Sequence, residues 1–206
     1  MKKIILFGML ILIVLVAGCS ATGKNVSFDD AIVQIQIWDT KYKAGMVSVP
    51  TTNESIKDLH AQLLGYRAAN TFDANAQQLL EYRIKVLDAK LKYEEGWKYG
   101  KAGTTEFGFA CKSMFYKVKE SAVLRNESAR IGNEAVILLQ AFLDEYPDKA
   151  KSLNLTQRDV LALKAIYYDI GRVASRDDRV MTQFCADKIN QTQETANETL
   201  ENTLVV

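Results

Sequence analysis

At 206 residues, with 48% hydrophobic and 25% charged side chains and a net charge of +1, the chain can bury a core of ordinary domain size. It lacks the basic excess of a nucleic-acid-binding or polybasic membrane-binding surface. Pro50 and Pro147 are its only prolines and strand-type alternation is absent, so the expected class is all-α: about seven helices in a bundle or an irregular helical array.

The chain opens with a basic head, Met1-Lys2-Lys3, then an apolar run from Ile4 to Val16, then the small residues Ala17-Gly18 before Cys19. This is the layout of a secretory signal, and the run is short of the roughly 20 residues that a membrane-spanning helix needs. Leu15-Val16-Ala17-Gly18-Cys19 resembles the lipobox of prokaryotic lipoproteins. The resemblance covers about a tenth of the sequence. It implies that residues 1–18 are a signal peptide removed by cleavage, and that Cys19 carries a lipid that anchors the mature chain to the membrane. A lipid with two chains holds a protein stably at a bilayer. The rival reading is an uncleaved signal anchor with an incidental Cys19. Residues 19–26 are small and polar and read as the lipidated tether.

A helical domain is expected over residues 27–189. Ser27-Phe28-Asp29-Asp30 fits a capping box, and Ala31, Ile35, Trp38 and Tyr42 give the first helix one apolar face, with Gly45 placed to end it. After a loop at 46–52, a second helix from about Glu54 carries Ile56, Leu59, Leu63 and Tyr66 and ends near Asn70. Asp73 starts a third, with the stripe Leu80, Ile84, Leu87 and Leu91, reaching about Trp97. Its other face pairs Glu81 with Lys85, Asp88 with Lys92 and Glu94 with Lys98 at the (i, i+4) spacing, which marks a solvated side.

A fourth helix is expected from about Glu106 to Leu124. A fifth, from about Ser128 to Tyr146, contains AVILLQAFL, apolar nearly all round and therefore read as the most buried element. Pro147 ends it. Thr156-Gln157-Arg158-Asp159 opens a sixth helix, with Val160, Leu163, Tyr167 and Ile170, and Ser175-Arg176-Asp177-Asp178 opens a seventh with Val180 and Phe184. Residues 190–206 are polar and read as a disordered tail. LLQAFLDEYPDKA is similar to the second helix of a tetratricopeptide unit, but no 34-residue recurrence follows, so a solenoid is the minor option.

With Cys19 assigned to lipid, Cys111 and Cys185 remain. They are either a disulfide, as an oxidising compartment favours, or two separate buried thiols. Asn-x-Ser/Thr triplets begin at Asn25, Asn53, Asn126, Asn154, Asn190 and Asn197, six where chance gives about one. They are candidate glycosylation acceptors. None follows an acid at the second preceding position, so lipobox and plain sequons together point to an archaeal cell surface. The alternative is that Asn53, Asn126 and Asn154 stand at helix starts as caps.

No catalytic constellation is found, so no enzyme activity is expected. His60, the single histidine, reads as a flank residue of the second helix. No Cys or His cluster has metal spacing, and no motif calls for a cofactor. The adjacent acids Asp29-Asp30, Glu94-Glu95 and Asp177-Asp178 point about 100 degrees apart on a helix, unsuited to one cleft. One stretch departs from the helical pattern: GWKYGKAGTTEFGFACK, residues 96–112, with the candidate partner-binding residues Trp97, Tyr99, Lys101, Phe107 and Phe109. It is either a contact surface or an interhelical connection whose aromatics plug the bundle.

The expected function is a membrane-anchored, extracytoplasmic helical interaction or scaffolding lipoprotein of the cell envelope. Its membrane contact runs through the lipid on Cys19, its partner is an envelope protein or a glycan, and no nucleic acid is expected. The alternatives are an envelope hydrolase using carboxylates and the lipoprotein subunit of a solute-uptake system.

Overall fold

The computed structural model describes residues 23–50, 52–105 and 111–203, and the side chains of 23–50, 52–99 and 117–185. The expected signal peptide and Cys19 therefore lie outside the described residues. Within them the fold is all-α, with six helices: α1 (Phe28–Tyr42), α2 (Asn53–Ala69), α3 (Ala74–Thr105), α4 (Cys111–Glu145), α5 (Pro147–Ser152) and α6 (Gln157–Thr203). Two three-residue strands, β1 (Lys24–Val26) and β2 (Asn70–Phe72), pair in parallel, Asn25 opposite Thr71.

The expected starts of the outer helices are in place. The Ser27 hydroxyl accepts from the Asp30 amide at 3.2 Å, capping α1, and donates to the Asp30 carboxylate at 3.0 Å. The Asp159 carboxylate accepts from the Thr156 amide at 2.8 Å at the start of α6. α2 is capped by Thr52, one residue before Asn53. α1 ends at Lys43, which takes the left-handed conformation at φ 54° and donates its amide to Asp39 and Thr40, two residues before the expected Gly45.

α3 and α4 form a long antiparallel hairpin. Lys85 meets Glu134 at 2.7 Å, the Ser128 hydroxyl donates to the Ala89 carbonyl at 2.6 Å, and Gly96 lies against the Ser121 carbonyl. α6 then packs antiparallel along α4, with Arg125 on Asp177 at 3.0 Å and Gln157 donating to Gln140 at 2.8 Å. α3 and α6 thus run parallel on the same side of α4. α1 and α2 close over the first half of α3, where Phe28, Ile35, Ile56, Leu59 and Leu63 meet Leu79, Leu80 and Leu87 in the core.

Several expectations are corrected. The fourth and fifth expected helices are the single helix α4, because no Gly or Pro interrupts residues 121–128 and the polar Ser128 finds its partner across the hairpin. The sixth and seventh are the single helix α6, since Asp177 is drawn to Arg125 and caps nothing. The tail expected from residue 190 is helical backbone to Thr203, its Gln, Glu, Ala and Leu extending a helix already nucleated. The tether expected to reach residue 26 is already β1 from Lys24.

The most buried element is α3 rather than the segment containing AVILLQAFL. Ile137 of that segment faces solvent, whereas Tyr82, Arg83, Ile84, Val86 and Leu87 of α3 are all buried. The solvated face expected on α3 also differs. Glu81 pairs with Arg67 and Asp88 with His60 across to α2, and Lys92 reaches Glu127 on α4.

Candidate functional site

The turns after α1 place a short segment, Met46 to Pro50, in the trough between α3 and α6. A buried strut holds it there. The Arg83 side chain, 0% exposed, donates to the Ser48 carbonyl at 2.6 Å and to the Met46 carbonyl at 3.4 Å, and its other terminal nitrogen pairs with Asp39 of α1. The Tyr82 hydroxyl also donates to Met46, at 2.7 Å. Burial raises the Asp39 carboxyl above its ordinary range, against the opposing pull of the Arg83 cation. The Arg83 Nε hydrogen has no acceptor, so the pair is not fully satisfied. Burial also pushes up the Tyr82 hydroxyl.

Beyond this segment a cleft of about 520 Å³ opens between α3, α4 and α6. Val47 and Val49 form one wall, Val86, Ala89 and Tyr93 of α3 another, and Leu163, Ile166, Tyr167 and Ile170 of α6 the third. The Tyr167 ring lies on the backbone of Gly132, where an added Cβ would fall 2.1 Å from the ring. Burial raises its hydroxyl to about 12. The few charges at the rim are already engaged: Lys90 with Glu94 at 2.7 Å and over the Tyr93 ring at 5.3 Å, Asp169 with Arg172 at 2.5 Å. The cleft is a mostly apolar, three-walled surface, the character of a binding site.

On α3 the wall residues Val86, Lys90 and Tyr93 share a helical face with Trp97 one turn further on. Trp97 is 54% exposed and Tyr99 37%, so neither plugs the bundle. α3 itself continues through Gly96, Gly100 and Gly103 to Thr105, correcting the expected loop. Gly96 is required there: an added Cβ would stand 3.0 Å from the Ser121 carbonyl. The Lys101 side chain and all of Phe107 and Phe109 lie outside the described residues.

The adjacent acids do not converge on the cleft. Asp29 meets Lys149 at 3.2 Å, Asp30 accepts from the Ser27 cap hydroxyl at 3.0 Å, Glu95 meets Lys92 at 3.7 Å and Asp177 meets Arg125. His60 Nε2 meets the Asp88 carboxylate at 2.7 Å between α2 and α3. Among the described residues no group of three or more His, Cys, Asp or Glu is placed to hold a metal ion, and no helix is long and apolar enough to cross a membrane.

Cys185 on α6 is 5% exposed and disulfide-bonded, while the Cys111 side chain lies outside the described set. Of the sequon asparagines, Asn25 is exposed on β1 and Asn53 half-buried in the first turn of α2. Asn126 lies inside α4, not at a helix start, and Asn154 sits in the α5–α6 turn. The side chains of Asn190 and Asn197 are outside the described set.

The sequence missed Arg83, Tyr82 and Asp39. The one available signal was a charged residue inside the most apolar part of the α3 pattern. Comparison with protein families, with curated proteins and with solved structures finds no match to this chain.

Proposed function

We propose that the chain is an extracytoplasmic lipoprotein of the cell envelope that is anchored through Cys19 and captures a partner helix in the apolar trough between α3 and α6. The observation that carries this reading is the cleft itself: its walls are Val, Ile, Leu and Tyr, its rim charges are spent on neighbours, and exposed Trp97 continues its α3 wall. Helix-in-groove recognition uses such a surface, with apolar anchors at helical spacing. A carboxylate hydrolase is less well supported, because among the described residues lining the cleft Asp169 is the one acid. The solute-uptake alternative has no observation in its favour.

The Cys19→Ala variant tests the address: the full-length chain should move from the membrane to the soluble fraction and retain its leader. A chain that stays equally membrane-bound is held by an uncleaved anchor instead. For the trough, a photo-crosslinking residue at Trp97 should capture a protein in native membranes, while the same probe at Ile137, on the outward face of α4, should not. Equal capture at both positions would sink the binding reading.

As a further part of this reading, Cys111 is the partner of Cys185. What supports it is register: with Arg125 opposite Asp177 in an antiparallel pair, Cys185 comes opposite residue 117, within two turns of Cys111 at the start of α4. Closing that loop would stabilise the fold by about 4 kcal/mol in the chain-entropy view. Peptide mapping without reductant should recover the two cysteines as one linked peptide, and two alkylated free peptides would refute the pairing.

A further inference from the structure

The six Asn-x-Ser/Thr triplets outnumber chance, yet the fold treats them very differently. An N-glycosyl transferase must engage both the asparagine amide and the hydroxyl two residues later. On an α-helix those two side chains point about 200 degrees apart, so a helical triplet hides one when it shows the other. Asn126 shows the conflict directly: it is exposed, but its Ser128 is 0% exposed and its hydroxyl is bonded to the Ala89 carbonyl at 2.6 Å. Asn53 and Ser55 stand in the first turn of α2, with Ser55 bonded to Thr52.

Asn154-Leu155-Thr156 is arranged otherwise. It forms the turn between α5 and α6, with Asn154 at φ 56° in the left-handed region and both Asn154 and Thr156 exposed. Leu155 between them is buried and pins the turn, its amide bonded to the Ala150 carbonyl at 2.9 Å. The Thr156 hydroxyl donates to the half-buried Asp159 carboxylate at 2.8 Å. A shallow hollow of about 440 Å³ opens beside Asn154, lined by Asp144, Lys151 and Gln157 among others, room for a first sugar ring.

We propose that Asn154 is an N-glycan acceptor and that Asn126 is not. The inference rests on the extracytoplasmic reading above. The Asn154 amide nitrogen forms a bond to the anomeric carbon of a polyisoprenyl-phosphate-linked oligosaccharide. The bond from that carbon to phosphate oxygen breaks, the lipid phosphate leaves, and the amide proton passes to the transferase.

The test is glycopeptide mapping of the full-length protein isolated from its own membranes. The Asn154 peptide should carry a sugar mass and the Asn126 peptide should be bare. Asn154→Asp, which tolerates the left-handed turn but has no amide nitrogen, should remove a mass shift from the intact protein, whereas Asn126→Asp should leave it unchanged. A bare Asn154 peptide, or equal occupancy at Asn126, overturns the proposal. If the protein is lipidated and membrane-bound with Asn154 bare, only the glycan inference fails. If it is found in the cytoplasmic fraction, the address fails with it.

Discussion

Gly132 is the position where one methyl group would matter most. A glycine inside a helix costs roughly 1 kcal/mol relative to alanine, so a packing reason is expected, and the Tyr167 ring on its backbone supplies it. Gly132→Ala should destabilise by ~1–3 kcal/mol, because the ring must leave its place. Coupling is the check: in urea unfolding, Gly132→Ala made in a Tyr167→Leu background should cost much less than alone, and additive costs would show the clash is not the cause. The Arg83–Asp39 strut predicts a second asymmetry. Arg83→Met strands the Asp39 carboxylate and should cost ~3–5 kcal/mol, while Arg83→Met with Asp39→Leu should recover most of it. The sign with pH follows from burial. Asp39 holds its proton to higher pH in the folded chain than in the unfolded one, whose value is near 3.8. Between those two values the native state binds more protons, so this group's contribution to stability falls as pH rises through the window. Asp39→Asn should flatten that part of the stability profile, and an unchanged slope would place the titration elsewhere.

At the level of elements, what could be read in advance was whatever local chemistry decides. Ser27 with Asp30 and Thr156 with Asp159 are short-range caps and stand where the pattern placed them, and Pro147 ends α4 at Glu145 and opens α5 at its first position. The stripes Ile56, Leu59 and Leu63 on α2 and Leu80, Ile84 and Leu87 on α3 are buried as their spacing implied. Breaks were misread where polar residues resemble caps but are satisfied by tertiary partners. Ser128 bonds Ala89, Asp177 bonds Arg125, and in both cases the helix runs on. The same cause hid the site: Arg83 looks like a surface residue until α1 and the segment after it close over α3. Glycines misled in the other direction. Gly96 reads as a breaker, yet it is what lets α3 approach α4 at Ser121. Gly96→Ala should therefore push the hairpin apart and lower the thermal midpoint, whereas Ala substitution at Gly65, where nothing lies within 4 Å, should raise it slightly.

Across the whole molecule, the proposed anchor and the exposed aromatics lie at opposite ends. β1 pairs with β2 beside the start of α3, and the Asp73 amide donates to the Val26 carbonyl at 3.2 Å, so the chain enters the domain at that end. With a lipid on Cys19, the residues up to Gly23 span at most about 14–18 Å, which holds this end close to the bilayer. Trp97 stands 23 residues along α3 from Ala74, about 34 Å away at the helical rise. On the proposed anchorage, the trough would run away from the membrane and present its Trp97 end to whatever lies beyond. Such a geometry suits a partner that arrives from outside, and an exposed tryptophan is the residue type that most often carries contact energy. Trp97→Ala should lower crosslinked partner capture at least tenfold when the probe is placed at Tyr93, while the thermal midpoint moves by no more than a degree or two, since the ring is already in water. A large loss of stability with capture retained would return Trp97 to the bundle's own packing and leave the trough without its distal anchor.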